Sequence, residues 1–141
     1  MSPSRPRIVV DTSVLISAAF FPNSTPLLAV EQAARQGDLL RSGATFQELE
    51  HTLRRAKFDR YASLEAREAF LDWLHGLMQF VTIRTPITAC RDPRDDKFLE
   101  LAVNGRADPI LSSDHDLLVL DPFQGIPILT PASYLDTPTV S

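Results

Sequence analysis

The chain has 141 residues, 44% hydrophobic and 23% charged, the profile of one ordinary domain long enough to bury a core without disulfide or metal staples. A net charge of −4 argues against nucleic-acid binding through bulk basicity, unless the acids gather at a metal site where bound cations reverse the local sign. The single cysteine, Cys90, has no internal partner and reads as a small buried hydrophobe rather than part of a disulfide framework.

The amino-terminal segment is basic, but the apolar run Ile8–Val10 is cut by Asp11, too short for a signal peptide or a membrane span. A cytoplasmic protein with no membrane association is expected. Repeats, low-complexity tracts and linkers are lacking, which predicts a single domain over residues 1–141. Its ordered core is placed at about 7–135, with loose ends at 1–6 and 137–141 that are rich in Ser, Pro and Thr.

Arg7–Val10 reads as a buried strand ending at Asp11. Val14–Phe20 follows as a short helix, closed by Phe21-Pro22-Asn23. Thr25-Pro26 opens a second helix, with proline at its first position, and Gly37 ends it. Leu39-Leu40 is a weak strand. Thr45-Phe46-Gln47-Glu48 matches a capping box and predicts a helix to about Ala56. Ser63 starts the clearest helix, in which Ala66, Ala69, Phe70, Trp73, Leu74, Leu77 and Met78 follow the spacing of one buried face. Phe80–Ile83 is a strand, Asp92-Pro93 opens a helix ending at Gly105, and Pro109–Ser112 and Gly125–Leu129 are strands. A short helix from about Pro131 closes the chain. Apolar strands alternating with helices imply a parallel sheet covered on both faces, a three-layer α/β/α sandwich.

Acids recur where strands end and helices begin. Asp11 follows the first strand, Asp114 follows Ser112 by two residues, and Glu48 and Asp96 fall near helix starts. Sites in open α/β sheets form beyond the carboxyl ends of strands. Carboxylates converging there repel one another unless a cation intervenes. Oxygen ligands without Cys or His at ligand spacing suit Mg²⁺ or Mn²⁺ rather than zinc, and His51, His75 and His115 are scattered. A carboxylate-held cation positions water and stabilises charge at a phosphoryl centre, so phosphodiester hydrolysis is the expected chemistry. Each acid also has a capping interpretation: Asp11 as a helix N-cap, Glu48 completing the box with Thr45, Asp92 and Asp95 favoured at a helix N-terminus. With Asp92 at the N-cap and Pro93 at the first helical position, Asp95 falls where it caps the helix and Asp96 on the sheet-facing stripe. Asp96 is therefore the expected third ligand, with Asp95 and Asp116 as auxiliaries.

At these residues the sequence resembles the PIN-domain family, and within it the VapC-like toxin ribonucleases of bacterial toxin–antitoxin pairs. IVVDTSVLISA resembles the family's first strand and first acid, Asp11. ATFQELEHTLRRAKF resembles the segment with the second acid, Glu48. RDPRDDKFLELAVNGRADPILSSDHDLL resembles that with the third and fourth, Asp96 and Asp114. The resemblance covers roughly residues 7–135. It implies a metal-dependent endoribonuclease that cleaves single-stranded RNA with Mg²⁺ or Mn²⁺, forms a homodimer and is neutralised by a small antitoxin.

Arg54, Arg55, Lys57 and Arg60 follow the Glu48 helix, and Arg91, Arg94 and Lys97 bracket the third acid. Of these, Arg54, Arg55, Lys57, Arg91, Arg94 and Lys97 are the candidate contacts to RNA phosphates. Two rival functions are a carboxylate-based phosphatase with Asp11 as nucleophile and a non-catalytic RNA- or protein-binding module of the same fold. The first is disfavoured because Ser13 stands where a second Asp is usual in haloacid-dehalogenase-like phosphatases, the second because the acids are all present.

Overall fold

A computed structural model describes residues 5–137. Its strands are β1 (Arg7–Val10), β2 (Asp38–Arg41), β3 (Gln79–Phe80), β4 (Ile110–Leu111) and β5 (Ile128–Leu129). The helices are α1 (Thr12–Phe20), α2 (Thr25–Gln36), α3 (Gly43–Leu53), α4 (Leu64–Leu77), α5 (Asp96–Asn104), α6 (His115–Leu118) and α7 (Pro131–Asp136). All strand pairs are parallel, in the order β3-β2-β1-β4-β5. Ile8, Val10 and Leu39 face one core with residues of α1 to α4 and α7, while Val9, Leu40 and Ile110 face a second with α5 and α6. This is the expected α/β/α sandwich. Alternating side chains of one strand feed opposite faces, which is why these strands read as unbroken apolar runs.

The chain winds outward from β1 through β2 to β3 and then returns to β4 on the other side of β1. That reversal opens a crevice at the carboxyl ends of β1 and β4, where Val10 pairs with Leu111. Asp11 and Ser112, the next residue of each strand, therefore lie side by side. No single helix among the described residues is long and apolar enough to cross a membrane.

Several local expectations are corrected. Ser42, not Thr45, caps α3: Thr45 lies at the third helical position and makes the reciprocal capping box with Ser42. Glu48 is therefore in the second turn, released from capping, and α3 stops at Leu53. Asp92-Pro93 opens a separate 3₁₀ turn, Pro93–Asp95, before α5 begins. On α4 the buried side chains are Arg67, Leu71 and Leu74, with Met78 at the cap. Ala66 and Ala69 are exposed, as are Trp73 and Leu77 at 41% and 39%, so only part of the expected apolar stripe packs into the core.

Of the expected loose ends, residues 1–4 and 138–141 lie outside the described residues. Arg5 and Pro6 are tied down: the Arg5 guanidinium meets Asp38 at 3.1 Å and Gly37 O at 2.8 Å, and Pro6 O accepts from Asp38 N. A Cβ on Gly37 would lie 2.3 Å from Pro6 O, so only glycine admits this close approach.

Candidate active site

Asp11 turns from β1 into α1 as the N-cap its position suggested, and it is 2% exposed. Its Oδ1 accepts from Val14 N–H at 3.0 Å and from Ser13 Oγ at 2.8 Å, and its Oδ2 accepts from Ser112 Oγ. Burial pushes its carboxyl up from the ordinary value; the Ser112, Val14 and Ser13 donors oppose that shift, and the nearby Asp114 charge adds to it. Ser112 Oγ in turn accepts from Asp114 N–H at 2.9 Å, linking the ends of β1 and β4 through one hydroxyl. Ser13 Oγ and Ser113 Oγ are 2.9 Å apart across the same crevice.

Asp114 caps the four-residue helix α6 by accepting from Asp116 N–H. Asp95, at the end of the 3₁₀ turn, faces it. Carboxylate oxygens of Asp95, Asp114 and Asp116 all lie within 4.8 Å of one another, and all three side chains are half-buried. Burial, together with the charge and hydrogen-bonding of Asp114, pushes Asp95 up to about 7. Like charges this close cannot all ionise without a counter-cation.

Asp96 is not brought into this group. Its Oδ1 accepts from Ala89 N–H at 3.0 Å and Cys90 N–H at 2.7 Å. Burial pushes its carboxyl up, but these backbone donors win and hold it below the usual carboxylate range. The expected phase assumed a continuous α-helix from Pro93. The tighter 3₁₀ turn, about three residues per turn, rotates Asp95 into the site, while Asp96 turns back onto the preceding loop. Asp95 makes no capping hydrogen bond.

Glu48 reaches from α3 to the start of α1 and to α5. Its Oε2 accepts from the Thr12 hydroxyl, and Lys97 Nζ donates to its Oε1 at 2.9 Å. Among the other predicted RNA contacts, Arg54 forks onto Glu68 and reaches Glu50, and Arg94 chelates Asp92. Arg55, Lys57 and Arg91 are exposed. Arg67, which sequence reasoning passed over, is 2% exposed. Its guanidinium donates to Leu53 O, Arg55 O, Ser63 O and Asp59, fastening the basic loop between α3 and α4. Cys90 is half-buried; burial and a hydrogen bond to Asp96 push its thiol up to about 12, which makes it unreactive. The hydroxyls of Ser112 and Ser113 were also missed. Their only signal in the sequence is their place between a strand end and an acid.

A family profile for the PIN domain matches residues 7–116, and the chain belongs to that family. Among solved structures it is similar to VapBC2 from Rickettsia felis bound to a promoter DNA fragment, at 13% identity and TM-score 0.55. That match covers 87% of this chain and 96% of the other. It is also similar to PAE2754 from Pyrobaculum aerophilum, at 13% identity and TM-score 0.62, over 92% and 88%. FitAcB from Neisseria gonorrhoeae matches at 15% identity and TM-score 0.57, over 89% and 98%. At these identities the likeness is one of fold. No curated protein matches the sequence.

Proposed function

We propose that the chain is a divalent-cation-dependent endoribonuclease that cleaves single-stranded RNA and serves as the toxin of a toxin–antitoxin pair in the cytoplasm. The observation that carries the reading is the convergence of Asp95, Asp114 and Asp116 at the β1–β4 crevice of a PIN fold. The donor set is all carboxylate oxygen, which fits Mg²⁺ or Mn²⁺. Asp95, Asp114 and Asp116 would hold the ion, with Asp11 tied to Asp114 through Ser112 and Glu48 tied to Thr12, the residue after Asp11. When bound, the ion supplies an activated water and neutralises charge on the phosphoryl group.

The chain's own residues do the rest. Asp95 must be ionised to hold a cation, and because its carboxyl is pushed up to about 7, affinity for the ion rises with pH through neutrality. Ser112 fixes Asp11 and the Asp114 backbone in one network, and Thr12 orients Glu48. Exposed Arg55, Lys57 and Arg91 offer charge to RNA phosphates. The exposed apolar side chains Trp73 and Leu77 of α4, and Phe21 and Tyr61 beside the basic loop, supply surfaces for a small antitoxin and for a second copy of the chain. An aspartyl-phosphate route is disfavoured, because both oxygens of Asp11 accept hydrogen bonds in a buried setting.

The test is cleavage of an end-labelled single-stranded RNA with Mn²⁺ or with EDTA. Cleavage is expected only with the cation, and Asp11→Asn, nearly isosteric, should fold and lose most activity. Cleavage in EDTA at the Mn²⁺ rate would overturn the reading.

A further inference from the structure

The acids of the crevice are not treated alike. Asp95, Asp114 and Asp116 face one another at close range. Glu48 instead has an ammonium partner: Lys97 Nζ lies 2.9 Å from its Oε1, with side chains only 21% and 30% exposed. Solvent screens such a sheltered pair less than one at the surface. Lys97 is the second residue of α5, at the helix end where the macrodipole favours acids and disfavours cations. Helix electrostatics therefore do not account for a lysine there; its partner, 49 residues away in sequence, does.

We propose that Lys97 is a positioning residue that reserves Glu48. It keeps that carboxylate in place while the site is empty and competes with a divalent cation for Oε1, so the acid triad takes a cation first. Glu48 joins only when Lys97 lets go. The proposal rests on the metal-site reading above. Because the ammonium both occupies a ligand oxygen and adds like charge beside the ion, its removal strengthens cation binding through Glu48.

The experiment is Mn²⁺ titration of the full chain by calorimetry or by the electron paramagnetic resonance of free Mn²⁺, with melting curves to establish folding. Lys97→Met, which keeps the length of the stem, should tighten Mn²⁺ binding about tenfold, equivalent to about 1.4 kcal/mol. Lys97→Arg, which keeps the charge, should stay near the wild-type affinity. In a Glu48→Gln background the gain from Lys97→Met should vanish, since the group it frees is gone. Unchanged or weaker binding in Lys97→Met overturns the proposal, and so does a gain that survives Glu48→Gln and thereby reports general charge alone. If neither the wild-type chain nor Lys97→Met binds Mn²⁺, the metal reading itself fails, an outcome distinct from equal binding in the two.

Discussion

Adjacent aspartates at the start of α5 should separate cleanly by mutation. Asp96 accepts from the N–H groups of Ala89 and Cys90 at 3.0 and 2.7 Å. A hydrogen bond to an ionised partner contributes about 1.5–3 kcal/mol, and an orphaned buried donor costs about 1–3 kcal/mol. Water reaches part of this loop, so Asp96→Ala should lose roughly 2–4 kcal/mol of stability rather than the full sum. At about 2–4 °C per kcal/mol for a chain near this size, Tm falls by about 5–15 °C. Cleavage measured well below that Tm should stay within a few-fold of the wild-type rate. Asp95→Asn removes one of the repelling charges and no capping bond, so the metal-free protein should melt at or slightly above the wild-type temperature. Its cleavage should fall by about two orders of magnitude, the scale on which loss of a transition-state contact is felt. Differential scanning fluorimetry and initial rates on one labelled RNA decide the matter. If Asp96→Ala melts normally but is inactive while Asp95→Asn still cleaves, the assignment of the two side chains is reversed.

Arg67→Ala should destabilise the chain by about 1–3 kcal/mol, because it removes the guanidinium donor of Leu53 O, while Arg55 O and Ser63 O keep backbone donors from Phe58 and residue 67; a urea midpoint within error of wild type would refute this. Metal-free stability should fall as pH rises from about 4 to about 7. The folded Asp95 carboxyl, pushed up to about 7, binds its proton more tightly than in the unfolded chain, so the stability it confers is full below the unfolded value and lost as pH climbs through the folded one. Urea titrations in EDTA at several pH values read this directly, and a flat or rising profile contradicts it. Light scattering at micromolar concentration should give the mass of a homodimer; a strict monomer removes that expectation.

Much of this protein is written locally. The alternation of apolar runs with helix signals is enough for a parallel sheet between helical layers, since buried parallel strands and amphipathic helices have distinct periods. Ser24 and Gly37 bound α2, and Ser63 opens α4, because caps act within one turn of the chain. Asp11 and Asp114 are legible as candidate site residues because Asp11 directly follows β1 and Asp114 lies three residues beyond β4. Tertiary structure decided what depends on partners distant in sequence. The boundary between the 3₁₀ turn and α5 chose Asp95 over Asp96 for the acid group, and the N–H groups of Ala89 and Cys90 took the other. Ser42 drew the start of α3 back and released Glu48 from capping, after which Lys97 and Thr12 claimed it. On α4 the core took Leu71 and Leu74 and left Trp73 and Leu77 exposed. In each case several side chains of suitable chemistry stood within one turn, and the choice among them fell to hydrogen-bond donors and packing surfaces that only folding brings near.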